Sequence, residues 1–142
     1  MPATPSPPST AAALAADLGG TTVRCGVVDP QGRVLAGLFR PSLASRPAPE
    51  IVANLLGGLE EALASSGLDP SALAGVGIGS PGIVYADCGV VHRAANFPAF
   101  QDLPLARLVG EHFSLPVRLH HDVDMAVLAE RRLGAGRGDN NA

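Results

Sequence analysis

Asp17, Gly19, Gly20, Thr21 and Thr22 crowd into one short stretch, DLGGTT, and together they supply what a phosphate group needs. Glycine backbone lets an anion come close, and the threonine hydroxyls and turn N–H groups can donate to phosphate oxygens. A carboxylate just ahead of the turn, Asp17, is placed to hold a hydrated magnesium ion. Paired glycines are also ordinary turn punctuation, so a plain reversal of the chain remains an equal reading of the same residues. The spacing is neither the GxxxxGK[ST] nucleotide loop nor the GxGxxG dinucleotide fingerprint.

A second group lies near the end of the chain, in HHDVDM. Asp122 falls where a strand pattern gives way to a helical one, a position at which Asp caps free N–H groups or, held ionised by the helix dipole, serves as a base. Met125 replaces the Glu or Gln of a capping box, so the reciprocal bond is absent. His120, His121, Asp122 and Asp124 invite a metal reading. Neighbouring strand side chains point to opposite faces, however, and two adjacent histidines then do not share one ion. His92 and His112 stand alone and are expected to have no chemical role. Arg24 reads as an exposed strand residue, and Glu60 and Glu61 as a solvated helix face.

The elements that must carry these groups follow from period and punctuation. Residues 1 to 10 are rich in Pro, Ser and Thr and are expected to be disordered. Ala11 to Leu18 reads as a strand, joined through Gly19 and Gly20 to a second beginning near Thr22. Asp29, Pro30, Gln31 and Gly32 match a type I turn into a third apolar run through Leu38. PSLASRPAP at 41 to 49 is a loop. From Glu50 the period lengthens: Ile51, Val52, Leu55, Leu56, Leu59 and Leu63 fall on one helical face, stopped by Gly67. Gly57 and Gly58 weaken this helix. ALAGVGIG gives a short strand ending in the Ser80, Pro81, Gly82 turn, and GVVHRA gives another. NFPAFQDLP is read as a loop, Pro104 to about His112 as a helix, PVRLH as a strand, and 122 to 134 as a helix stopped by Gly134. Strands in hairpin succession, then strands alternating with helices, spell an α/β domain with a mixed sheet.

At 142 residues the chain is one domain long. A net charge of -3 with scattered basic residues gives no nucleic-acid surface, and 4% aromatic content gives no base-stacking face. No apolar run approaches a membrane span, and the N-terminus lacks the basic region of a signal peptide. Cys25 and Cys88 have no metal-type spacing and are expected to be buried thiols in a reducing cytosol.

In order and spacing, DLGGTTVR, GVGIGSPGIV, GVVHRAANFPAFQDLPL, HHDVDMAVLAE and GAGRG resemble the ROK family of sugar kinases and repressors, within the actin-like ATPase superfamily. The likeness runs over about residues 15 to 138. It implies an actin-like ATPase (ribonuclease H-like) lobe with a mixed sheet and flanking helices, occupying residues 11 to 142. It also implies that Asp17, Gly19, Gly20, Thr21 and Thr22 receive ATP phosphates, with magnesium reached from Asp17 through water. The sugar would meet Ser80, Gly82, Asn96, His121 and Asp122, with Asp122 as the base toward a sugar hydroxyl. Where the family usually has Asn, this chain has His121 and Asp124; Thr22 and Tyr85 stand where Lys and Asp are common.

The activity so implied is ATP-dependent phosphorylation of a hexose, glucose first, in the cytoplasm, with a small-molecule sugar as partner and neither nucleic acid nor membrane. The resemblance allows a homo-oligomer for a complete protein. Family kinases continue past GAGRG into a second lobe with another phosphate loop and a cysteine-rich zinc site. Neither has a counterpart in these 142 residues, so the chain alone is expected to be inactive. A sugar-sensing repressor of the same family and a non-catalytic sugar-binding module are the rival readings. The repressor is disfavoured because only 16 residues, mostly Pro, Ala, Ser and Thr, precede Asp17.

Overall fold

The computed structural model describes residues 11–121. Asp122, Asp124, the helical pattern at 122 to 134, GAGRG and the Pro-rich first ten residues lie outside them. Three strands open the chain as an antiparallel meander: β1 (Ala12–Leu18), β2 (Thr22–Val28) and β3 (Val34–Pro41). Helix α1 (Ala48–Ser66) leads to β4 (Leu73–Ser80), which returns parallel to β1. A small antiparallel sheet of β5 (Ile83–Tyr85), β6 (Val90–Arg93) and β7 (Gln101–Leu103) follows. Helix α2 (Leu105–Phe113) then feeds β8 (Val117–His121), parallel to β4. The main sheet has the order β3-β2-β1-β4-β8.

Alternation along the strands decides the two faces of this sheet. Leu14 and Leu18 of β1, Val23, Cys25 and Val27 of β2, and Val76 and Ile78 of β4 are buried. Onto this face α1 lays Ile51, Leu55 and Leu59, also buried. Removing such side chains from water stabilises the fold by about 1.5–3 kcal/mol each. The two glycines that weaken α1 as a helix leave room for side chains of β2 and β3. A Cβ on Gly58 would lie 2.7 Å from the Cys25 sulfur, and one on Gly57 would lie 2.9 Å from the Arg40 guanidinium. Gly67 ends α1 in the left-handed conformation, with φ 74°. The opposite face is lined by Ala15, Asp17, Gly26, Phe39, Gly77 and Gly79, and forms a groove of about 730 Å³ among the described residues.

Several expectations need correction. The stretch read as the loop NFPAFQDLP contains β7, whose Leu103 and Gln101 pair with Val91 and Arg93. Three residues with Asp102 at φ 48° carry no alternation that a sequence pattern could show. After the Ser80 to Gly82 turn, Ile83–Tyr85 forms a short strand that the sequence reading did not separate, paired with β6. Cys88 is exposed; only Cys25 is buried, and burial pushes its thiol up to about 11, partly offset by the nearby Arg40 charge.

The residues expected to be idle turn out to be tethers. His92 Nδ1 meets Asp102 Oδ1 at 2.5 Å across β6 and β7, and this bond holds the Asp102 carboxyl below its ordinary range. His112 Nε2 meets Glu60 Oε1 at 2.6 Å, tying α2 to α1. Glu61 receives Arg40 at 2.8 Å. The Glu60 and Glu61 face is therefore exposed yet engaged by neighbouring elements.

Candidate functional site

Because β1, β4 and β8 run parallel, their carboxyl ends share one edge of the sheet. Asp17 stands beside Gly79, and Ser80 beside His121. In open sheets with parallel strands, ligands gather outside these ends. Asp17 is exposed at that edge and lies opposite Arg24 in the β1–β2 register. Arg24 places its guanidinium 5.4 Å from the centroid of the Phe39 ring, which gives this exposed strand residue a packing partner.

The DLGGTT turn links β1 to β2, closed by one bond of its own, from Gly19 N–H to the Thr22 carbonyl at 3.0 Å. Neither glycine has a positive φ. The need for glycine at these two positions is therefore steric. A Cβ on Gly19 would sit 2.7 Å from the Thr22 carbonyl oxygen, and one on Gly20 would sit 3.0 Å from Asn96 Nδ2. Gly20 and Thr21 are exposed. Two further bonds hold the turn from behind: Ser42 Oγ donates to the Gly20 carbonyl at 3.0 Å, and Ser42 N–H to the Thr21 carbonyl at 2.9 Å. Ser42 was missed by sequence reasoning. A serine in a Pro- and Ser-containing loop carries no local signal.

Asn96 comes from a turn after β6, closed by Phe97 N–H on the Ala94 carbonyl at 3.1 Å. Phe97 and Phe100, stacked at 4.6 Å and buried, anchor that turn to the core and leave Asn96 exposed at its tip. The Ser80 to Gly82 turn approaches the same segment. Gly82 has φ 91°, and a Cβ there would collide with the Arg93 carbonyl and Ala94. Ser80 is fully buried, and its hydroxyl donates to the Pro81 carbonyl at 3.1 Å. The hydroxyl thus shapes the turn. His121 is half-buried at the end of β8. The structure therefore brings Asp17, the Gly19 to Thr22 turn, the Ser80 to Gly82 turn, Asn96 and His121 to the loops and strand ends of one region. Asp122 lies outside the described residues. Among the described residues no three or more His, Cys, Asp and Glu side chains gather as metal ligands.

The ROK family model matches residues 13–142. The chain belongs to the ROK family. Over 128 residues it is 30% identical to the glucokinase of Thermotoga maritima, covering 90% of this chain and 39% of that protein. A ROK family glucokinase from Streptomyces griseus, solved in complex with glucose and AMPPNP, superposes with a TM-score of 0.79 at 31% identity. That match covers 89% of this chain and 38% of the other. The xylose repressor of Caldicellulosiruptor bescii is 32% identical over 76 residues, 54% of this chain and 19% of that protein. The fold is thus the mixed sheet with flanking helices of the actin-like ATPases, as the resemblance implied, and this ROK chain spans about two fifths of the length of its glucokinase relatives.

Proposed function

We propose that residues 11 to 142 form the N-terminal lobe of a cytoplasmic ROK sugar kinase that transfers the γ-phosphoryl group of ATP to a hexose, glucose first. The observation that carries this reading is the nearness of Asn96 to Gly20, where an added Cβ would lie 3.0 Å from Asn96 Nδ2. It sets the phosphate-type turn directly against the residue whose family counterpart meets the sugar. The kinase reading is favoured over a sugar-sensing repressor because in sequence the glucokinase match extends over 90% of the chain, against 63% and 54% for two xylose-repressor relatives. In the complete protein a homo-oligomer fits the same reading.

In this proposal Gly19, Gly20, Thr21 and Thr22 receive phosphate oxygens, while the Ser80 to Gly82 turn, Asn96, His121 and Asp122 line the sugar. The sugar hydroxyl oxygen attacks the γ-phosphorus, the bond to the β–γ bridging oxygen breaks, ADP leaves, and the hydroxyl proton passes to Asp122. Such a transition state asks little of the base, and most of the acceleration comes from positioning and charge stabilisation. One exposed carboxylate beside a phosphate-binding turn suits magnesium, which keeps several waters and takes one or two carboxylates with phosphate oxygens. When bound through Asp17, the ion would neutralise charge on the phosphates.

An assay coupled to ADP release tests the proposal. The 142-residue chain is expected to show no ATP-dependent glucose phosphorylation, because the nucleotide side of the clamp and the closing lobe are not among its residues. A version extended to the length of its relatives is expected to turn over, and to lose at least 100-fold in kcat on Asp122→Asn. Robust turnover by the short chain would overturn the need for a second lobe. Normal kcat in the extended Asp122→Asn variant would remove Asp122 from the mechanism.

A further inference from the structure

Three serines in this structure satisfy a hydroxyl in different ways. Ser66 donates to Leu63 and Ser80 to Pro81, both close in the chain. Ser42, 2% exposed, reaches across 22 positions to the Gly20 carbonyl. Its own N–H takes the next carbonyl, that of Thr21. No peptide bond is cis, so each carbonyl drawn toward Ser42 turns the N–H of the same peptide the other way. Two successive N–H groups, those of Thr21 and Thr22, therefore point away from Ser42. Successive N–H groups aimed together form an anion-binding concavity.

Ser42 is itself held. The Asn54 side chain of α1 donates to the Pro41 carbonyl at 2.8 Å, fixing the residue before it. Leu43, the residue after it, has φ 59°, in the left-handed region that side-chain-bearing residues resist. The chain bends there, and the Leu43 carbonyl accepts from Arg46 N–H at 2.9 Å. On the other side of the turn stands Asn96. Gly20 thus lies between a buried serine that bonds its carbonyl and an exposed asparagine nearby.

We infer that Ser42 is a positioning residue for the phosphate-binding turn: its hydroxyl and N–H draw the Gly20 and Thr21 carbonyls back and aim the Thr21 and Thr22 N–H groups at the incoming phosphate. The inference deepens the proposed function and rests on it for the identity of the ligand, while the aiming itself is a property of the chain alone.

The test uses the 142-residue chain with Ser42→Ala and Ser42→Thr, the latter keeping the hydroxyl. Amide hydrogen exchange reads the turn without any ligand. Ser42→Ala should speed exchange of the Gly19 N–H, which closes the turn, about fivefold to tenfold, the worth of one hydrogen bond. The amides of β1 and β3 should be unchanged, and Ser42→Thr should restore the slow rate. Titration with tripolyphosphate should show about a fivefold weaker affinity for Ser42→Ala, recovered in Ser42→Thr. Unchanged Gly19 exchange in Ser42→Ala overturns the inference. So does faster exchange spread evenly over β1 to β3, which marks a merely structural serine. If the unsubstituted chain takes no tripolyphosphate, the phosphate reading of the turn fails, and the aiming role of Ser42 toward that ligand fails with it. The exchange data then still decide whether Ser42 orders the turn.

Discussion

The β1–β2–β3 meander reverses twice, and the two reversals are built on opposite plans. Between β2 and β3, Asp29 Oδ1 accepts the N–H groups of Gln31 and Arg33 at 3.0 and 2.8 Å. Gly32 N–H closes on the Asp29 carbonyl at 2.9 Å, Gly32 takes φ 85°, and Arg33 pairs with Asp29 at 2.7 Å. Every partner lies within four residues. Between β1 and β2 the turn makes one bond of its own, and further bonds come from Ser42, far along the chain, with Asn96 standing close to Gly20. A turn that satisfies itself has nothing left to offer a ligand. One held from outside keeps its exposed side available for chemistry.

The largest expected effect separates the two uses of glycine. Gly19→Ala should destabilise the chain by about 2 kcal/mol in urea unfolding, because its Cβ meets backbone oxygen that no rotamer can move. Gly19→Asn should cost at least as much. Gly32→Ala should cost about 1 kcal/mol and Gly32→Asn only a few tenths, since there the difficulty is the left-handed angle, which Asn tolerates. Equal penalties for Gly19→Asn and Gly32→Asn would break the comparison.

A smaller effect is expected at Gly20, where the obstacle is a side chain. Gly20→Ala should cost about 1 kcal/mol, and adding Asn96→Ala should recover about half of it. A double-mutant cycle with no coupling would mean that Asn96 yields freely, and that the two halves of the proposed site do not press on each other.

The smallest effect concerns Asp29. Partial burial acts to raise its pKa, and the N–H groups of Arg33 and Gln31 with the Arg33 guanidinium outweigh that and hold it below its ordinary 3.8. A carboxyl depressed on folding contributes stability that is fully present above its unfolded pKa and is lost as pH falls through the folded value. Asp29→Asn should therefore lower stability slightly at neutral pH and flatten the acid limb below pH 4. A variant whose acid limb matches the parent would show that the turn does not depend on this charge.

The elements that close on themselves were legible. The Asp29 to Gly32 turn, the face of α1 with its Gly67 stop, and the burial of β1 and β2 all follow from residues near one another in sequence. β7 was not legible, because three residues become a strand only when β6 lies alongside. Glu60, Glu61, His92 and His112 looked idle because their partners sit on other elements. At the candidate site, Asp17 and the Gly19 to Thr22 turn were named from their residue types and Asn96 from the family resemblance; that the glycines are needed for room inside the folded turn was not legible.

The sequence by itself determined most of the order of strands and helices and membership in the family whose motifs it repeats. Those depend on side-chain type and short spacing, which the chain states directly. Only the tertiary structure decided that Gly20 lies between Ser42 and Asn96 and that the carboxyl ends of β1, β4 and β8 share one edge. Such contacts join residues 22 and more positions apart, and they exist only once β3 has paired with β2, the turn after β6 has come up beside Gly20, and β4 and β8 have paired parallel to β1.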